Sequence, residues 1–192
     1  MELLLSLFVG IGLSATSGFR LFVPFLIMSI ASISGQLELS PGFEWIGSYP
    51  ALTIFAVAAV VEILAYLFPF IDNLVSMISA PLAAIAGTII TASVIIDLDP
   101  MLTWSLAVIA GGGASLTSKT TSTLMHTGST TLSGGSANPV VSTAETIYSV
   151  VMSILSILVP VLAVILFGLI LWIGVRLFRR YKRPGKKTAK PN

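Results

Sequence analysis

The feature that most constrains this chain is a series of long apolar stretches, at 3–33, 51–68, 74–96, 101–116 and 146–175. A helix needs about 20 residues to cross about 30 Å of hydrocarbon, so 51–68 and 74–96 each predict one span. The sequence PFIDN, at 69–73, is the turn expected between them. Charged residues make up only 9% of the chain, whereas soluble domains carry roughly 25%. We therefore predict an all-α fold, a polytopic transmembrane helix bundle.

Two of the stretches are too long for one straight span. At 1.5 Å per residue, 3–33 and 146–175 would each extend about 45 Å as helices. Glycines and small hydroxyl residues in GIGLSATSGFR, at 10–20, predict a helix break at Gly10, Gly12 or Gly18. A long tilted helix is the alternative. Pro160 predicts two helices near 140–158 and 160–180, with one kinked helix as the alternative.

The positions of the basic residues predict an orientation. Eight of the ten lie between Arg176 and Lys190, whereas the segments 34–50 and 97–100 contain none. By the positive-inside rule, six crossings place the tail, 181–192, in the cytoplasm. The membrane expected is the bacterial cytoplasmic (inner) membrane. The polar stretch 126–139 is predicted to be a flexible loop, with His126 solvated near a membrane edge.

The chain also contains a weak internal repeat. A shift of 99 positions aligns 3–20 with 102–119, with six identities, and brings Arg20 onto Lys119. We predict a first membrane repeat at 1–97 and a second at 98–180. Three helices in each repeat would give two inverted repeats whose first helices are interrupted by glycine, a plan found in many transporters. In the second repeat the predicted interruptions are Gly111, Gly112 and Gly113.

Charged residues inside or beside these stretches are the candidates for function. A charge within the membrane costs at least about 2.5 kcal/mol, so it usually has a partner or a role. Two basic groups and broken-helix N-termini would attract an anion, and carboxylates would balance them or carry protons. The alternative is that Arg20–Glu62 and Lys119–Glu145 are structural ion pairs. The residues predicted for a substrate or ion pathway are Arg20, Lys119, Glu62, Glu145, Asp72, Ser17 and Thr117.

Several kinds of site are not expected. The chain has no cysteine and one histidine, which excludes thiolate zinc sites, multi-histidine metal sites and cysteine nucleophiles. We expect no cofactor and no metal. No catalytic set accompanies His126, so the chain is not predicted to be an enzyme, although an enzyme acting on lipid stays open.

Five segments carry a resemblance to a known family: ATSGFRLFVP, PFIDN, APLAAIAG, GGGASLTSK and NPVVSTAE. Over about residues 3–175 the chain resembles a widespread group of bacterial and plastid membrane proteins classed as a domain of unknown function. The interrupted helices are also similar in plan to trimeric intracellular cation channels. The motif positions that the family resemblance singles out are Gly18, Arg20, Glu62, Pro69, Asp72, Lys119, Asn138, Pro139 and Glu145.

These observations favour a small transporter or channel that moves an anionic solute or a phosphate-bearing lipid headgroup between the repeats. One alternative is a cation-selective channel that uses Glu62 and Asp72, and another is a non-transporting membrane scaffold. The partners expected are the lipid bilayer and a small anion, and a homo-oligomer stays open. Nucleic acid is not expected, because the basic tail directly follows an apolar run.

Overall fold

The computed structural model describes residues 2–65, 69–96 and 98–181, and only the backbone of 69–77, 174–175 and 177–181. Within these ranges the chain is helical and has no β-strand, so the predicted all-α class is confirmed. Residues 182–192 of the predicted tail and Asp97 of the 97–100 turn lie outside the described residues. The helices are α1 (Glu2–Ser17), α2 (Phe22–Ile33), α3 (Tyr49–Ala65), α4 (Pro69–Val94), α5 (Pro100–Leu106), α6 (Gly113–Ser133), α7 (Asn138–Leu158) and α8 (Pro160–Tyr181).

The first apolar stretch is broken into two helices, as expected for its length. α1 ends at Ser17, and Gly18–Leu21 separate it from α2. The backbone N–H groups of Phe19 and Arg20 both donate to the Thr16 carbonyl at 3.1 Å, which closes the last turn of α1. This break places Arg20 between two helix ends.

The structure corrects the predicted break at the other glycines. Gly10 and Gly12 lie within α1, where they allow close packing against Thr91 and Ser156. In the segment predicted to be a second repeat, a π-helical segment (Ala107–Gly112) joins α5 directly to α6, which begins at Gly113. Gly111, Gly112 and Gly113 therefore widen a helix and do not interrupt it, because the backbone hydrogen bonds continue at π spacing.

Three connections can also be compared with the sequence predictions. The predicted turn at 69–73 is wrong, because α4 begins at Pro69, a residue suited to the first helical position. The predicted flexible loop at 126–139 is also wrong, because α6 extends to Ser133 and α7 starts at Asn138. The preferred division at Pro160 is confirmed, with α7 ending at Leu158 and α8 starting at Pro160.

α1 is the central helix of the bundle. It packs against α4, α6, α7 and α8, while α2 packs against α3 and α7. α4 packs closely along the π-helical segment. There Gly87 and Gly111 approach backbone to backbone, so a Cβ on Gly87 would lie 2.5 Å from the Gly111 carbonyl oxygen.

The interior of the bundle combines an apolar core with many buried hydroxyl groups, and its outer surface is largely apolar. Ser14, Thr16 and Ser153 are fully buried, whereas Ile54 and Val57 on α3 are 64% and 60% exposed. Soluble proteins rarely expose a large continuous apolar surface. Buried hydroxyl groups also occur at Ser17, Ser29, Thr91, Ser93, Ser115, Ser118, Ser122, Ser142, Ser149 and Ser156.

Among the described helices, α7 alone is both long and apolar enough to cross a membrane by length and composition. Apolar helices of 10–17 residues are found in α1, α2, α3, the Ile78–Val94 part of α4 and the Pro160–Ile173 part of α8. One such helix is a weak indication of membrane association, because core helices of soluble proteins share these properties.

Candidate functional site

The Arg20 side chain is buried at the break between α1 and α2, with 1% of its surface exposed. Its Nε donates to Thr146 Oγ1 at 2.8 Å, and its Nη2 donates to the Ser142 carbonyl at 2.7 Å. Both partners lie on α7, so Arg20 ties the helix break to that helix. Ser142 and Thr146 were missed by the sequence analysis because neutral hydroxyl residues carry no distinctive signal.

Glu62 reaches the same break from α3. Its carboxylate accepts hydrogen bonds from the backbone N–H groups of Leu21, at 2.6 Å, and Phe22, at 3.0 Å. These are the first N–H groups of α2, and Leu21 provides no side-chain cap. Glu62 also interacts electrostatically with Arg20 and Lys119. The predicted pair of Arg20 and Glu62 is therefore close in space, but the hydrogen bonds of the carboxylate go to the backbone.

Lys119 and Ser17 lie where α6 crosses the end of α1. Lys119 is 5% exposed. Ser17 Oγ is 2.8 Å from Ser115 Oγ and donates to the Ser14 carbonyl at 2.8 Å. Gly18 makes this crossing possible, since a Cβ there would lie 2.7 Å from the Lys119 backbone nitrogen and closer still to the Ser115 carbonyl oxygen.

Glu145 is buried between α6 and α7 and contacts His126. Glu145 Oε2 is 3.1 Å from His126 Nε2, and the two side chains are 2% and 13% exposed. The predicted Lys119–Glu145 pair is therefore wrong, and so is the prediction that His126 is solvated. A signal was present in the sequence: Lys119, Ser122 and His126 share one helix face by their spacing.

Two predicted pathway residues remain, Thr117 on α6 and Asp72 on α4. Thr117 lies on the exposed side of α6, and its hydroxyl donates to the Gly113 carbonyl at 2.7 Å, so its place in a pathway stays a prediction. Asp72 lies in α4 near its start, but its side chain is outside the described part of the structure.

A cavity of about 700 Å³ opens beside the cluster. Its inner end includes Ser17, Glu62 and Lys119, and its walls are mainly apolar side chains of α3 and α4. Within the described residues α3 and α4 do not pack closely against each other, which leaves this space between them. Its apolar wall residues are Leu21, Phe22, Ile54, Val57, Ala58, Val61, Ala65, Ile78, Leu82 and Ala83.

The cavity thus combines apolar walls with a charged inner end, which is the chemistry of a site for an amphiphile. Two cationic side chains and the N-terminus of α2 provide positive potential, and Glu62 supplies the opposing negative charge. In the described part of the chain, no group of three His, Cys, Asp or Glu side chains lies close enough to hold a metal ion.

Comparison with known proteins gives one match. A family profile described as "Domain of unknown function (DUF4126)" matches residues 7–180. No curated protein and no solved structure matches the chain.

Proposed function

The chain belongs to DUF4126, a family of unknown function, and we propose that it is a multi-pass membrane transporter for an anionic amphiphile. The headgroup, a phosphate-bearing group for example, binds beside Lys119 at the inner end of the cavity, where Arg20 adds positive potential from behind the helix break, and the chain lies along the apolar walls. The single observation that carries this proposal is the cavity, whose charged inner end continues into walls of α3 and α4.

The distribution of polar residues supports placement in a membrane. Water would favour polar side chains outside, but the outer faces of α3 and α7 present Val60, Leu64, Ile147 and Val151, all at least half exposed. Hydrocarbon around the bundle would stabilise this arrangement. Under the positive-inside rule the basic tail then lies in the cytoplasm, next to a bacterial inner membrane.

The polar sequence of α6 is compatible with hydrocarbon because its hydroxyl groups are satisfied within the helix. Thr117, Thr120 and Thr121 donate to carbonyls four residues earlier, at 2.7–2.9 Å. A hydroxyl that is bonded to its own helix presents mainly its methyl group outward, so burying it costs less than its hydropathy implies. Hydropathy alone thus underestimates the capacity of α6 to cross a bilayer.

The contact between α1 and α6 supports an inverted-repeat plan. The segments 3–20 and 102–119 align in sequence, and they meet near equivalent positions, with Ser17 against Ser115 and Gly18 against Ser118. A two-fold axis between repeats brings equivalent positions together in this way. The proposed site lies at this crossing, where inverted-repeat transporters bind their substrates.

Transport assays in liposomes test the proposal and separate two sources of the anion. The purified chain is reconstituted, and the movement of labelled phosphatidylglycerol between leaflets is compared with uptake of inorganic phosphate. Lys119→Gln removes one buried cation and should slow lipid movement at least about tenfold, because a hydrogen bond to a charged group contributes roughly 1.5–3 kcal/mol. Arg20→Gln should act in the same direction. Arg176→Gln, at an exposed arginine, is the matched control and should leave the rate unchanged.

A second pair of variants tests the cavity without altering charge. Val57 lines the cavity, so Val57→Trp places a large side chain in it. Val60 lies on the same helix and is 56% exposed but does not line the cavity, so Val60→Trp is the matched control. Only Val57→Trp should slow lipid movement. If the chain takes up phosphate and Val57→Trp does not slow that uptake, the substrate is a free anion and not a lipid. A cation current lost in Glu62→Gln would favour the channel alternative, and no flux of any probe would contradict transport.

A further inference from the structure

The Glu62 carboxylate occupies the position in which an anionic headgroup would be bound most strongly. It accepts hydrogen bonds from the N–H groups of Leu21 and Phe22 at the start of α2, at 2.6 and 3.0 Å, and both buried cations, Arg20 and Lys119, interact with it electrostatically. It also forms part of the inner wall of the cavity. An anion that enters the cavity therefore meets a site already filled by a negative charge from the protein itself.

The origin of this carboxylate is unusual for a helix cap. Caps are normally supplied by the residue at the helix start, but Glu62 belongs to α3 and is about 40 residues away in sequence. A charged side chain within a membrane segment is costly, so a neutral local cap would stabilise α2 at lower cost. Because the carboxylate comes from α3, a movement of the Glu62 side chain alone would remove its negative charge from the start of α2.

We propose that Glu62 is a displaceable internal anion, so that binding of an amphiphile anion is coupled to uptake of one proton by Glu62. This inference rests on the proposed function and adds its coupling ion. When the ligand anion takes the N–H groups of Leu21 and Phe22, the Glu62 carboxylate leaves them and takes up one proton from the surrounding solution. One negative charge replaces another, and the net charge around Arg20 and Lys119 is unchanged.

Charge balance is the physical reason for the coupling. Two anions together at the α2 N-terminus would repel each other in a site of low dielectric constant, and removing both would leave the cations without that counter-charge. Among the described residues, the charged groups that act on Glu62 are Arg20 at the helix break and Lys119 on α6. Among the described side chains, α3 adds Tyr49 at its opposite end, and α4 from Ile78 to Val94 adds no titratable group.

Binding of octanesulfonate to the full chain in a neutral maltoside detergent tests this proposal. A sulfonate keeps its charge between about pH 4 and about pH 8, so any pH dependence arises from the protein. Wild-type affinity should rise at least about tenfold as the pH falls, as the competing carboxylate is lost. Glu62→Gln should bind with the higher affinity throughout this range and show no pH dependence.

Matched controls separate this proposal from a purely structural role. Glu38→Gln, at an exposed glutamate that lines a different cavity, should follow the wild-type pH profile. Val57→Trp measures uptake of the probe by the micelle alone, and methanesulfonate measures anion binding without a chain. A Glu62→Gln variant that keeps the wild-type affinity and pH profile would overturn the coupling but leave the transport proposal intact. Absence of octanesulfonate binding in every variant at every pH would overturn both.

Discussion

At the scale of single residues, the site depends on Gly18 more than on any charged group. α1 and α6 approach so closely at this position that a methyl group would overlap the backbone of α6. Backbone atoms in a helix cannot rotate away as a flexible side chain can. The absence of a side chain at Gly18 thus determines how near Lys119 comes to the break that holds Arg20.

Gly18→Ala is therefore expected to destabilise the bundle by about 1–3 kcal/mol, the usual cost of overpacking. Gly113→Ala is the matched control, because nothing lies within 4 Å of a Cβ there. As a helical position, Gly113 should gain up to about 1 kcal/mol from alanine. Unfolding in mixed detergent measures both changes, and equal stability of the two variants would contradict the close approach at Gly18.

At the scale of elements, α6 and α7 form a hairpin whose inner faces are polar. Ser118, Ser122 and Glu145 are buried there, and Asn138 Nδ2 donates to Thr130 Oγ1 at 3.0 Å. Within the described residues Glu145 Oε1 has no hydrogen-bond partner, so the contact with His126 is the polar interaction the structure gives that carboxylate. A buried carboxylate that loses its partner is costly.

His126→Ala is therefore expected to destabilise the chain by roughly 3 kcal/mol, the cost of breaking a buried pair. The double variant His126→Ala with Glu145→Gln should recover part of that loss, because an amide without a partner costs less than a carboxylate. Thermal unfolding of the four members of this double-mutant cycle gives the coupling energy. Additive effects of the two substitutions would show that His126 and Glu145 do not interact.

At the scale of the whole molecule, the bundle has a largely apolar exterior around an interior rich in buried hydroxyl groups, which a bilayer would stabilise. α5, the π-helical segment and α6 form a continuous helix that is about 50 Å long at 1.5 Å per residue. Thr117 lies near its middle, level with Lys119, and Thr131 lies about 20 Å further along. In a bilayer with about 30 Å of hydrocarbon, only the first would be buried in lipid.

Single-cysteine labelling tests this placement directly, because the natural chain has no cysteine. In intact vesicles, Thr117→Cys should react with a water-soluble maleimide at least about tenfold more slowly than Thr131→Cys, since a thiolate does not form in hydrocarbon. Both residues are exposed on the isolated bundle. Equal labelling of the two cysteines in vesicles would place α6 in water and contradict the prediction. As a control, both cysteines should label equally after denaturation in detergent.

Much of the fold follows from the sequence alone because it rests on local rules. The length of 3–33 requires a break near the glycines, and Pro160 cannot continue α7. The same rules fail at 126–139, where threonine and serine indicated a loop. There the hydroxyl groups bond to their own helix and, on one face, to α7.

The choice of partners was decided only by the tertiary structure. The sequence identifies Arg20, Lys119, Glu62 and Glu145 as charges that need compensation, because an uncompensated charge is costly in any apolar surrounding. It cannot assign Glu62 to the α2 backbone or Glu145 to His126, because those contacts depend on where helices distant in sequence cross. The cavity has the same origin: within the described residues, α3 packs on α2 and does not pack closely on α4, which leaves a space between α3 and α4.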